Sequence, residues 1–115
     1  MKKMNYNYIE ERPWGKFEIL IDSDDCKVKR ITVKPGGRLS YQYHHKRSEV
    51  WTVVSGIATM TLDDEISLHT YGETILIPQG TKHRVENRGT NDLVFILCKS
   101  WLELFSFSHL LITIL

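Results

Sequence analysis

The chain has 115 residues, with 15 basic and 14 acidic side chains and a formal net charge of +1. That length suits one domain with one buried core, and a balanced, dispersed charge excludes a polyanion-binding surface, so no nucleic-acid partner is expected. Cys26 and Cys98 lack C-x-x-C spacing and residues 1–6 lack an apolar signal core, which excludes a disulfide framework and leads to the expectation of a cytoplasmic protein with two ordinary thiols.

In chain order, residues 1–14 read as a lead-in without clear periodicity. Short strands are then expected at Gly15 to Ile21, Lys27 to Val33, Leu39 to His44, Val50 to Val54, Ala58 to Leu62, Ile66 to Thr70, Thr74 to Ile77, His83 to Asn87 and Leu93 to Cys98. Turn residues separate them, at Asp22 to Asp25, Pro35 to Gly37, Ser55-Gly56, Asp63 to Glu65, Tyr71-Gly72, Gln79-Gly80 and Arg88 to Asp92. No long helix and no repeat interrupts this series. Even spacing of short strands argues an all-β sandwich or barrel over residues 15–99, a single domain. Residues 100–115 break the pattern: Trp101 to Leu115 is apolar at ten of fifteen positions. It is too short to span a bilayer, which takes about 20 apolar residues, and Glu103 and His109 interrupt it. The segment is therefore expected to cover an apolar surface of its own barrel or of a second subunit, and a homodimer is expected.

Two segments carry chemistry. The first, Gln42-Tyr43-His44-His45-Lys46-Arg47-Ser48-Glu49, places Gln42 and His44 on one strand face, with Tyr43 and His45 on the other. Glu49 opens the next apolar run, which ends at Ser55-Gly56. The second, Gly72 to Asn87, has the pattern G-x5-P-x-G-x2-H-x3-N and delivers His83 onto a strand after a Pro78-x-Gly80 turn. If Glu49 faces inward, Gln42 Oε1, His44, Glu49 and His83 converge as two imidazoles, a carboxylate and an amide oxygen. Such a set suits Zn, Fe, Mn or Co. Asn87 reads as structural, its amide capping the turn at Arg88-Gly89, and His69 and His109 as ordinary hydrogen-bonded histidines.

The paired segments resemble the two-motif signature of the cupin superfamily, with Glu49-x6-Gly56 in place and glutamine at the first histidine position. Gln42-x-His44 instead of His-x-His is similar to the phosphomannose isomerases. Arg12-Pro13-Trp14-Gly15, Lys27 to Gly36 and Trp51 to Ala58 extend the likeness to the type II mannose-6-phosphate isomerase domain, over about residues 9 to 98. In many bacteria that domain forms the C-terminal part of a bifunctional mannose-1-phosphate guanylyltransferase. The resemblance implies a double-stranded β-helix, the cupin jelly-roll barrel, with a divalent metal, zinc above all, inside one open end. It further implies interconversion of mannose 6-phosphate and fructose 6-phosphate, supplying GDP-mannose and polysaccharide synthesis.

In that reaction a proton moves between C1 and C2 through an enediol, and a base working near neutral pH is required. His45, Lys29, Lys46 and Lys82 are the candidates, and spacing singles out none. The sugar's phosphate calls for a cation, with Arg12, Arg30, Arg38 and Arg47 available and Trp51 a possible wall of the pocket. Arg84, beside His83, points to the other face of a regular strand. The alternatives are a metal- and sugar-binding cupin module of weak catalytic power and an iron-dependent dioxygenase, the latter disfavoured by Gln42. No membrane partner is expected. The ending after residue 100 departs from the family pattern, which continues with a polar, acidic stretch and an arginine; an altered reading frame or a truncated relative is the expected origin.

Overall fold

A computed structural model describes residues 8–42 and 48–100. Among them nine strands form: β1 (Tyr8–Arg12), β2 (Gly15–Asp22), β3 (Cys26–Val33), β4 (Ser48–Ser55), β5 (Ala58–Leu62), β6 (Glu65–His69), β7 (Thr74–Ile77), β8 (His83–Glu86) and β9 (Leu93–Ser100). They make a six-stranded sheet in the order β1-β2-β3-β9-β4-β7 and a three-stranded sheet in the order β6-β5-β8. Every pairing between named strands is antiparallel. This is the all-β double-stranded architecture expected above. Among the described residues no helix is long and apolar enough to cross a membrane.

Period-two alternation decides which side chains fill the space between the sheets. On β9, Leu93, Phe95 and Leu97 are buried while Val94 and Ile96 are only partly so. Trp51 and Val53 on β4, Ile75 and Ile77 on β7, and Ile31 and Val33 on β3 meet them from the same sheet, and Ala58, Met60 and Val85 close the core from the other. The outer face of the larger sheet follows the opposite phase. There Leu76, Val50, Cys98, Val28 and Ile21 stand in one register row across five strands. Leu76, Val50 and Ile21 are 57%, 39% and 50% exposed.

Two strand expectations are corrected. Within the lead-in, Tyr8–Arg12 forms β1 and pairs with β2 throughout. Its burial pattern shows no buried face, so no alternation marked it in the sequence. Conversely, Leu39 to His44 is not a strand over its described part: only isolated bridges join Arg38 to Glu86 and Gln42 to His83. The Pro35 to Gly37 turn directs this segment across β8, and it touches that strand only at intervals.

Turn chemistry fixes the ends of the strands. Gly56, with φ of +84°, ends β4 so close to the next turn that a Cβ would lie 2.5 Å from the Asp92 carbonyl oxygen. Asn87, 1% exposed, ties three segments together. Its Nδ2 donates to the carbonyls of Val33 and Asn91, both at 2.8 Å, and its Oδ1 accepts from the Gly89 amide at 2.9 Å. Asn87→Ala leaves these buried groups without partners and is expected to cost about 1–3 kcal/mol. A fall in the urea midpoint at unchanged m-value checks this.

On the outer face Arg30 holds Glu18 in a fork, Nε to Oε2 at 2.9 Å and Nη2 to Oε1 at 2.7 Å. These bonds hold the Glu18 carboxyl below its usual range, against the opposing effect of burial. A lowered folded value gives stability that is present above the unfolded pKa and lost as pH falls through the folded one. Stability of the wild type should therefore fall on acidification below about pH 4 more steeply than that of Glu18→Gln, as read by unfolding at stepped pH.

Candidate functional site

Along the inner face of the larger sheet the side chains change character row by row. One row is Val53, Phe95, Ile31 and Phe17; the next is Ile75, Trp51, Leu97, Lys29 and Ile19; the third is Ile77, Glu49, Lys99 and Lys27. The interior thus passes from wholly apolar to charged at one end of the barrel. A cavity of about 260 Å³ opens there, lined by Arg12, Trp14, Phe17, Lys29, Ile31, Leu39, Ser40, Gln42, Glu49, Leu97 and Lys99.

Glu49 and His83 are 3% and 5% exposed, and Glu49 Oε1 lies 4.0 Å from His83 Nε2. Each is oriented by a neighbour. The Trp51 indole donates to Glu49 Oε1 at 2.8 Å. His83 Nδ1 faces the Thr81 carbonyl at 3.3 Å, which assigns the ring proton to Nδ1 and directs the Nε2 lone pair at the carboxylate. A cation could be accepted by both groups on this side of the pair. Gln42 is tied to His83 by reciprocal backbone bonds, 3.0 Å from its amide to the His83 carbonyl and 2.7 Å in return. Its side-chain Nε2 donates to Ser40 Oγ at 2.7 Å, so Oε1 is the atom it could offer to a cation.

This donor chemistry fits a divalent ion. Imidazole and carboxylate are donor types that a divalent ion such as zinc takes, and the carbonyl behind His83 Nδ1 is the partner a metal-ligating histidine usually has. Among the described residues no three His, Cys, Asp or Glu side chains cluster. His44, the further expected ligand, lies outside the described residues, as do His45, Lys46 and Arg47.

The remaining candidates separate by face. Lys29 and Arg12 line the cavity. The lining does not include Arg30, Arg38, Lys82 or Trp51. Arg30 follows Lys29 by one residue and so faces outward to Glu18. Arg38 lies at the bridge to Glu86. Lys82 Nζ and the Arg84 guanidinium sit 5.9 Å and 5.3 Å from the centroid of the Tyr41 ring, whose hydroxyl donates to Asp64 Oδ1 at 2.9 Å. That cluster pins Tyr41 on the outside and so turns Gln42 inward. Trp51 is a core residue, stacked on Phe95 at 4.4 Å, and meets the site through its N–H to Glu49 and an edge-on ring contact with His83 at 5.8 Å.

Lys99 was not anticipated. It is the cross-strand partner of Glu49 and projects into the cavity. The signal was present: Leu93, Phe95 and Leu97 set the inward phase of β9, and the next residue in phase is Lys99.

Comparison with known proteins gives a consistent picture. The family described as Mannose-6-phosphate isomerase C-terminal matches residues 2–104. A mannose-1-phosphate guanylyltransferase of Escherichia coli K12 is 48% identical over 94 residues, 80% of this chain and 20% of that protein. The xanthan biosynthesis protein XanB of Xanthomonas campestris pv. campestris is 46% identical over 89 residues, 77% of this chain and 19% of that protein. The chain thus spans about a fifth of the length of these relatives. An RmlC-like cupin from Shewanella frigidimarina superposes with a TM-score of 0.75 at 20% identity, covering 89% of this chain and 90% of that one. This likeness establishes the cupin fold.

The Trp51 N–H is the test of how Glu49 is held. Trp51→Phe keeps an aromatic ring against Phe95 but removes the donor, leaving a buried carboxylate oxygen short of one bond. A loss of about 1–3 kcal/mol in unfolding free energy is expected; a denaturation curve superimposable on the wild type would show that the bond contributes nothing.

Proposed function

Because the chain belongs to the mannose-6-phosphate isomerase C-terminal family, we propose that it interconverts mannose 6-phosphate and fructose 6-phosphate at the open end of the barrel. Its ligand set is Gln42 Oε1, His44, Glu49 and His83, around one divalent ion, zinc by preference. The observation that carries this reading is the Glu49–His83 pair, buried, 4.0 Å apart and oriented on both sides by Trp51 and Thr81. Burying a carboxylate beside an imidazole is costly, and a bound cation would offset that cost.

When bound, the ion would act as a Lewis acid toward the sugar's O1 and O2 and stabilise charge developing on the enediolate. The chain's own residues supply the rest. Trp51 fixes the carboxylate, Thr81 fixes the imidazole tautomer, and Leu97, Ile31 and Leu39 give the cavity an apolar wall that lowers the local dielectric. For the proton transfer, Lys29 is the one expected base among the described residues that lines the cavity. Its ammonium lies 4.4 Å from the Phe17 ring centroid. His45 and Lys46, outside the described residues, stand beside it as base candidates. The name of the xanthan relative supports a place in supplying activated mannose for polysaccharide synthesis.

A second reading is a cupin module that binds metal and sugar without turnover. One experiment separates the two. Purified protein is assayed for fructose 6-phosphate formation from mannose 6-phosphate as isolated, after chelation, and after Zn²⁺ is returned, with bound metal measured in parallel. The isomerase reading expects turnover that is lost on chelation and restored by zinc, and a fall of about 10²-fold or more in His83→Ala together with lost metal. Metal bound at one equivalent without turnover selects the module; turnover indifferent to chelation removes the metal site.

A further inference from the structure

The chain's two cysteines, far apart in sequence, are brought together by the register of the larger sheet. Val28 on β3 stands directly opposite Cys98 on β9, and Cys26 stands opposite Ser100. Side chains two residues apart on a strand share a face, so Cys26 and Cys98 are diagonal neighbours on the outer face, away from the cavity. Both are half-buried free thiols. Burial pushes the Cys98 thiol pKa up, and the nearby Cys26 adds to the rise, in keeping with the closeness the register dictates. A raised pKa makes Cys98 a poor first nucleophile.

The two differ in freedom of movement. Cys98 is paired on both sides, to Val28 and to Val50, in the middle of the sheet. Cys26 is the first residue of β3 and closes the turn after β2. There the Ser23 hydroxyl lies 3.7 Å from its sulfur, and the Ser23 amide donates to its carbonyl at 2.9 Å. Diagonal neighbours are spaced at about 7–8 Å between Cα atoms, slightly beyond the ~4.4–6.8 Å that a disulfide spans. Closing such a bond draws a strand end toward a fixed strand, and the strain keeps the product easily reduced.

We propose that Cys26 and Cys98 form a dithiol site that reacts with small-molecule disulfides of the glutathione disulfide class and closes reversibly to an intrachain bond stapling β3 to β9. Cys26, at the strand end, gives up its proton and attacks one sulfur of the reagent, whose S–S bond breaks and releases the first thiol. Cys98 then loses its proton and attacks the Cys26 sulfur, expelling the second thiol. Two S–H bonds of the chain give way to one S–S bond, and the reagent is reduced by the two electrons the chain loses. The staple lies one residue from Lys99, the cross-strand partner of Glu49, so oxidation pins β9 at the level of the cavity. The step requires no metal, no sugar and no turnover, and so stands apart from the isomerase reading.

The test uses the full 115-residue chain and the variants Cys26→Ser and Cys98→Ser, each first shown by thermal unfolding to be folded. Each is reduced, freed of reductant, kept in chelator and treated with a small excess of dithiobis(nitrobenzoate), an aromatic disulfide. Released thionitrobenzoate and intact mass are read. The wild type is expected to release about two equivalents per chain and to end two hydrogens lighter with no adduct. Each single variant releases about one equivalent and keeps one adduct. Glutathione disulfide should give the same closed product, and dithiothreitol should reopen it. Two stable adducts on the wild-type chain, no reaction at either thiol, linkage only between chains, or no closure by glutathione disulfide overturns the site.

Discussion

Strand β9 is the element on which the rest depends, because it is paired along its whole length to β3 on one side and along most of it to β4 on the other. A strand's two faces alternate strictly, so a one-residue slip of β9 would carry Phe95 and Leu97 to the surface and bring Cys98 and Ile96 into the core. The same slip would remove Lys99 from the cavity. Core and site are therefore specified by one register, and the burial of Leu93, Phe95 and Leu97 indirectly fixes where the charge of Lys99 is delivered.

That coupling explains how a small barrel can hold a buried carboxylate. Glu49 lies on β4 two residues before Trp51, whose ring is stacked on Phe95. The indole is immobilised by the core and presents its N–H to the carboxylate as a fixed donor. His83 is fixed in a different way, from the backbone of its own turn and from the reciprocal bonds with Gln42. Glu49 thus takes its orientation from the core through Trp51, while His83 and Gln42 hold one another across the backbone. Preorganisation of this kind keeps a polar site from collapsing when nothing is bound.

Much of this was legible in the sequence. Eight of the nine strands of the structure had turn-bounded apolar runs behind them, and the Pro78-x-Gly80 turn correctly delivered His83 to the inside of β8. The exception, β1, lies at the sheet's edge with both faces largely exposed, so no periodic signal existed to be read. The segment around Leu39 looked like a strand by composition yet pairs only at single bridges, since pairing partners cannot be inferred from residue type. Among the cations the difficulty was one of phase. Lys29 and Arg30 are adjacent, equal in charge and opposite in destination, and only the register with β9 decides that Lys29 enters the cavity while Arg30 meets Glu18. Lys99 was missed because the apolar run was taken to end at Cys98, although its alternation continues one step further.

The row formed by Leu76, Val50, Cys98, Val28 and Ile21 gives the larger sheet two sides answering to different demands. Inward positions are locked by volume, and a change there is felt by the whole barrel. Among the described residues the outward row meets no such fit, so its chemistry can drift toward grease or toward charge while the pocket behind it stays as it is. Evolution could therefore retune what this wall adheres to, including a neighbouring domain in a longer polypeptide, without touching the chemistry on its far side.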